Sequence, residues 1–253
     1  KLYVHDIKGN FFHLKQNTME SAIQLPNCPG YPWLGQMGID TNGILWALFF
    51  GEWRDNYGLF SFDGAAWKKY TSADGLFSHD ASSFTFGPDG SVWVGQWAGI
   101  SRYHDGIWKN FPSENGRLGG ASFAFPSALD SSIYFSDMTG IYKVHYDIFT
   151  RISSETSVRL TLGANGVLWC INLSTKQLMS YDGEIWLNHP FPIIPGFNTI
   201  SDGPLFVDGD NTVWIWTNAG LYQYTPDFKT TVEERKQIPH SLLFCGNHPN
   251  PFN

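Results

Sequence analysis

The stretch from Phe84 to Phe111, FTFGPDGSVWVGQWAGISRYHDGIWKNF, constrains the fold more than any other part of the chain. It divides into four short runs rich in β-branched and aromatic residues: Phe84 to Gly87, Ser91 to Trp97, Ile100 to Tyr103 and Ile107 to Phe111. The breaks between them are Pro88-Asp89-Gly90, Ala98-Gly99 and His104-Asp105-Gly106. Asp-Gly between apolar runs predicts a tight hairpin, because glycine accepts the positive φ that the turn requires. The stretch therefore predicts a four-stranded antiparallel meander. A single sheet of this kind cannot cover both of its faces, so it requires neighbours like itself.

The chain supplies them. A small polar turn followed by apolar, aromatic and apolar residues returns at Thr41 to Trp46, Asp130 to Tyr134, Ala164 to Trp169 and Asp210 to Trp214. The anchor aromatics Trp46, Trp93, Tyr134, Trp169 and Trp214 are spaced on average about 42 residues apart, within the roughly 40–50 residue period of propeller blades. A second marker follows each anchor in phase. It reads Gly58 to Gly64, Gly99 to Gly106, Gly140 to Val144, Leu178 to Gly183 and Gly220 to Tyr224. Two in-phase markers over five copies predict an all-β propeller of four-stranded antiparallel blades, with five complete blades and one partial blade.

Composition agrees. Aromatic residues make up 17% of the chain and charged residues only 15%, as expected where sheets stack and bury both surfaces. This also accounts for Ile44 to Phe50 and Val213 to Trp216, which run almost continuously apolar instead of alternating. The one short helical candidate is Glu233 to Gln237. No run of 18 apolar residues occurs, so no membrane-spanning helix is expected. The formal net charge of −7 argues against nucleic acid as a partner. Cys28, Cys170 and Cys245 have no metal-site or disulfide-scaffold spacing. Cys170 reads as a small buried hydrophobe, and a ring could bring Cys28 and Cys245 together.

In order, residues 1–18 read as the outer half of a partial blade and 19–32 as a proline-containing connector. Five blades follow over 33–238, at about 33–75, 76–116, 117–156, 157–192 and 193–238, and 239–253 reads as a linker. A chain that begins in mid-repeat is expected to belong to a longer polypeptide. The third blade has lost its glycine turn (Asp130-Ser131-Ser132), and the fourth replaces the glycine that opens its third strand with Ser174 to Gln177. The last outer strand is expected near Lys229 to Ile238, where Glu233, Glu234, Arg235 and Lys236 would blunt an exposed sheet edge.

The units DGSVWVGQWAGISRY (Asp89 to Tyr103) and NTVWIWTNAGLYQY (Asn211 to Tyr224) resemble the two-component-regulator propeller repeat. That resemblance implies a sensor ectodomain or a secreted bacterial protein, and it speaks to architecture more than to activity. The last residues, Asn247-His248-Pro249-Asn250-Pro251-Phe252-Asn253, resemble the opening of a C-terminal sorting domain of the type IX secretion pathway, with His248 where tyrosine is usual. This implies export, with a sorting domain beyond Asn253.

Candidate chemistry is sparse. Asp40-Thr41-Asn42-Gly43 and Asp208-Gly209-Asp210-Asn211 come nearest to calcium loops, but both lack the bidentate Glu and the alternating ligand set. They read as hairpin turns, so no metal and no cofactor are expected. The eight histidines are scattered. His5, His104 and His145 recur near the aromatic of a third strand, which is the mark of a turn or a blade surface. Virginiamycin-lyase-type enzymes resemble this repeat and use a histidine at the channel mouth, but the sequence singles out no histidine for that role. No Gly-x-Ser-x-Gly, His-Glu-x-x-His or phosphate-cradling loop is present.

Turns between strands one and two, and between three and four, are expected on one face. The longer connections are expected on the other. Variable loops on a rigid scaffold commonly carry binding, and Trp, Tyr and Arg are the usual interface anchors. Trp53, Arg54, Tyr57 and Trp97 are therefore the candidate binding residues, with no catalytic residue assigned. The function expected is a non-catalytic binding or structural module, exported to the cell surface or an extracellular assembly, with a protein or glycan partner at the loop-rich face. Two alternatives stay open: a ligand-sensing receptor ectodomain, and a propeller lyase or hydrolase with a central-channel site.

Overall fold

The computed structural model describes residues 2–5, 11–15, 18–23, 33–50, 58–96, 99–112, 122–126, 131–137, 139–156, 158–172, 174–189, 205–217, 220–226 and 242–245. The fold is all-β, a propeller of antiparallel blades, as the repeat predicts. Contacts group into two halves, Lys1–Ala124 and Phe125–Asn253.

The first half opens with a three-stranded sheet of β1 (Leu2–His5), β2 (Phe11–Lys15) and β3 (Thr18–Ile23). The partial blade thus has a third strand, and it occupies part of the segment expected to be connector. Thr18 pairs with Lys15 and Ile23 with Phe11, so this strand runs back along β2 before the prolines begin. The first complete blade follows as β4 (Trp33–Ile39), β5 (Leu45–Phe50), β6 (Gly58–Phe62) and β7 (Trp67–Tyr70). The second is β8 (Ala81–Phe86), β9 (Val92–Gln96), β10 (Gly99–His104) and β11 (Ile107–Pro112).

The second half holds three further meanders. The third blade is β12 (Ser122–Pro126), β13 (Ile133–Ser136), β14 (Ile141–His145) and β15 (Ile148–Ser153). The fourth is β16 (Val158–Leu162), β17 (Leu168–Asn172), β18 (Gln177–Tyr181) and β19 (Trp186–His189). The fifth is β20 (Leu205–Val207), β21 (Val213–Thr217), β22 (Gly220–Tyr224) and β23 (Leu242–Cys245). The outer strand of the fifth blade is therefore Leu242–Cys245, within the segment expected to be a linker, and not Lys229 to Ile238. Tyr224 pairs with Leu242 and Leu221 with Cys245. The run Leu-Leu-Phe-Cys has the composition of a strand, whereas Glu233 to Lys236 places four charges in a row. Residues 229–238, including the helical candidate, lie outside the described residues.

The second strands show why they read as continuous apolar runs. In β5, Trp46 and Leu48 join a core with Tyr70, Phe84, Val92 and Val94 of the first and second blades. Leu45, Ala47 and Phe49 turn to the opposite face and pack with Phe60. In β17, Leu168 and Cys170 pack with Tyr134 and Ile141 of the third blade, while Trp169 and Ile171 pack with Leu205, Val213 and Tyr224 of the fifth. β17 is thus covered on both sides by neighbouring blades, and both faces of β5 are buried. Burial of each large side chain contributes about 1.5–3 kcal/mol. Cys170 is a free, buried thiol, as expected.

Candidate functional site

The polar residues at the strand ends follow the repeat as closely as the apolar ones. Asp40 sits six residues before its anchor tryptophan, and its Oδ1 accepts the amides of Asn42 and Ile44 at 2.9 and 3.0 Å. Its Oδ2 accepts the Trp46 indole N–H at 2.9 Å. Asp208 repeats this with the amides of Asp210 and Thr212 at 3.0 and 2.9 Å and the Trp214 indole at 2.7 Å. The near-calcium sequences are therefore Asx turns that orient the anchor ring. In the second blade Ser91 does this work, accepting the Trp93 indole at 2.8 Å while donating to Asp89. At the turns between third and fourth strands, Asp63 accepts the amides of Ala65 and Ala66, and Asp182 those of Glu184 and Ile185.

These turns gather charge around a cleft of about 490 Å³ between the first two complete blades. Its rim carries Asp40 and Asp89 from the first kind of turn, and Asp63, His104 and Asp105 from the second. Its floor is aromatic. Trp46 stacks on Tyr70 with ring centroids 5.1 Å apart, and Tyr103 stands edge-on to both at 5.6 Å. Tyr70 is buried, which pushes its phenol up to about 12, so it stays protonated. The amides of Ala66 and then Ala65 hold Asp63 below the usual carboxylate range. Burial opposes ionisation of Asp89, but Ser91 and the Arg102 guanidinium outweigh it and lower its pKa as well. Arg102 also lies over the Trp93 ring at 5.6 Å.

Such a cleft holds fixed negative charge above polarisable ring faces. That combination attracts cations and hydrogen-bond donors. Among the described residues, no three His, Cys, Asp or Glu side chains are grouped to hold a metal. His104 Nε2 lies 3.5 Å from Asp105 Oδ2, and His145 Nδ1 lies 3.2 Å from Ser132 Oγ.

The predicted contact residues Trp53, Arg54, Tyr57 and Trp97 lie outside the described residues, as does Cys28. The cleft brings together instead the Asp-Gly and Asn-Gly turn residues that sequence reading treated only as turns. A second class was missed as well: the buried polar residue three positions after three of the five anchors, Gln96, Asp137 and Asn172. Asp137 Oδ1 accepts the amides of Thr139 and Gly140, and Asn172 Oδ1 those of Ser174 and Thr175. Each thereby organises the loop between its second and third strands. Their recurrence at one repeat position was the available signal.

No family model matches the chain, and no curated protein matches it. Solved structures do. A catalytically inactive variant of virginiamycin B lyase from Staphylococcus aureus, solved with quinupristin, superposes with a TM-score of 0.67 at 16% identity, over 88% of this chain and 80% of that one. The extracellular domain of BT4673 from B. thetaiotaomicron matches with a TM-score of 0.64 at 14% identity, over 87% of this chain and 30% of that one. PorZ, a surface component of the type-IX secretion system of Porphyromonas gingivalis, matches with a TM-score of 0.58 at 14% identity, over 87% and 36%. The chain thus spans about a third of the length of the latter two. At these identities the likeness is one of fold.

Proposed function

We propose that this chain is the propeller of an exported bacterial protein and serves as a non-catalytic binding or structural module. It would act at the cell surface or in an extracellular assembly and engage a protein or glycan partner. The observation that carries this reading is the cleft between the first two complete blades, where turn amides fix several carboxylates in place before any partner arrives. A pre-organised charged rim suits recognition, since little is spent on ordering it. Trp53, Arg54, Tyr57 and Trp97, in the connections between second and third strands, would supply apolar and cationic contacts on the opposite, loop-rich face. Export is supported by the sorting-like C-terminal residues and by the fold shared with an extracellular receptor domain and a secretion-system surface component.

Two measurements test this. Protease treatment of intact producing cells should degrade the protein, and protection until the cells are lysed would contradict surface exposure. Partner capture by the purified chain should weaken with salt and fall on Asp63→Asn with Asp105→Asn, or on Trp53→Ala with Arg54→Ala. Capture unchanged in both double variants would remove the assignment. A lyase reading has one observation in its favour, the coverage of 80% of the virginiamycin B lyase chain. It would be supported by turnover of quinupristin that is lost on substitution of a channel-facing His or Glu.

A further inference from the structure

His189 and Tyr70 occupy the same position in different blades. Each ends an outer strand, opposite the residue that follows the third-strand opening: Tyr70 faces Leu59, and His189 faces Leu178. Each meets a serine on its own third strand, Tyr70 Oη with Ser61 Oγ at 3.2 Å and His189 Nε2 with Ser180 Oγ at 2.7 Å. Each ring lies against its anchor, Tyr70 on Trp46 at 5.1 Å and His189 on Trp169 at 4.6 Å. Each also packs against the third-strand tyrosine of the following blade, Tyr103 at 5.6 Å and Tyr224 at 5.4 Å. His189 Nδ1 adds a hydrogen bond with Tyr224 Oη at 2.9 Å.

The two rivets differ only in the chemistry of the ring. The phenol of Tyr70 does not titrate below strongly alkaline pH. A neutral imidazole spans its two hydroxyls by donating from one nitrogen and accepting at the other. We propose that His189 is an acid-operated lock between the fourth and fifth blades, closed while the imidazole is neutral and released when it is protonated.

Among the described residues, no acidic group acts on the ring to pair with the added charge. β17 contributes the Trp169 indole, β18 the Ser180 hydroxyl and β22 the hydroxyl of Tyr224. The apolar core shared by the two blades contains Tyr222 and Tyr224 as its titratable members. His189 is 5% exposed, and burial lowers its pKa to about 4 from the ordinary 6.5. Between those values the unfolded chain binds the proton more tightly than the folded one. The contribution of His189 to stability is therefore constant above about pH 6.5 and declines as the pH falls towards 4, with a ceiling of about three hundred-fold in the unfolding equilibrium.

Imidazole signals of the wild-type chain, followed by NMR from pH 8 to 3.5, provide the direct test. One of the eight histidines should stay neutral until about pH 4, and its signal should be the one missing from His189→Tyr. Urea unfolding at pH 7 and 4.5 gives the second readout. The wild-type unfolding constant should rise between these pH values by roughly 60-fold more than that of His189→Tyr. Parallel acid responses of wild type and His189→Tyr, or titration of every imidazole near pH 6.5, would overturn the proposal.

Discussion

Three residues before each anchor aromatic, the backbone enters the left-handed region in all five complete blades. Gly43, Gly90 and Gly166 take φ of 80°, 79° and 75°, whereas Asn211 takes 61° and Ser131 takes 56°. Glycine and asparagine reach this region readily; serine does so at a cost. Ser131→Gly should therefore stabilise the protein by about 0.5–1 kcal/mol, the strain relieved exceeding the entropy that glycine adds to the unfolded chain. Urea unfolding at neutral pH would show it, and a lowered midpoint would mean that the Ser131 side chain contributes more than the turn geometry costs. The glycine turns and anchor rings were legible from the sequence. The carboxylates that hold the anchor indoles were seen only as turn formers, because a turn motif reveals its backbone conformation but not which side chain its second oxygen will meet.

At the scale of the strand, the glycine that opens a third strand is there because of the strand beside it. A Cβ on Gly99 would lie 2.3 Å from the carbonyl oxygen of Phe111, and one on Gly140 would lie 2.2 Å from that of Ser153. Backbone atoms of the outer strand cannot yield as a flexible side chain would. Gly99→Ala and Gly140→Ala should each destabilise the fold by about 1–3 kcal/mol, read as a drop in thermal or urea midpoint. Unchanged midpoints would show that the outer strand can move aside. The fourth blade manages without this glycine by rebuilding the turn. Lys176 takes a φ of 61°, its amide donates to the Asn172 carbonyl, and the Asn172 side chain caps the loop. The departure at Ser174 to Gln177 is legible in the sequence, whereas the repair depends on a side chain from the preceding strand and is not.

For the molecule as a whole, the fold rests on sheets covering each other, and Cys170 reports on that directly. It is fully buried between the third and fourth blades, and burial pushes its thiol far above the ordinary range. Thiol reagents should modify Cys170 at a rate set by unfolding, slower in native buffer than in urea by orders of magnitude. Peptide mapping after timed labelling would show this, and modification at the rate of an exposed thiol would contradict a closed interface between those blades. The sequence by itself determined the all-β class, the number of complete blades, the order of their strands and the anchor ring of each, because all of these repeat locally and in phase. Only the tertiary structure decided that Thr18–Ile23 and Leu242–Cys245 are strands, that the turn carboxylates converge on one cleft, and that His189 stands where Tyr70 stands. Periodicity is set by neighbours along the chain, whereas the pairing of a sheet edge or the burial of a ring is set by whichever residues reach it through space.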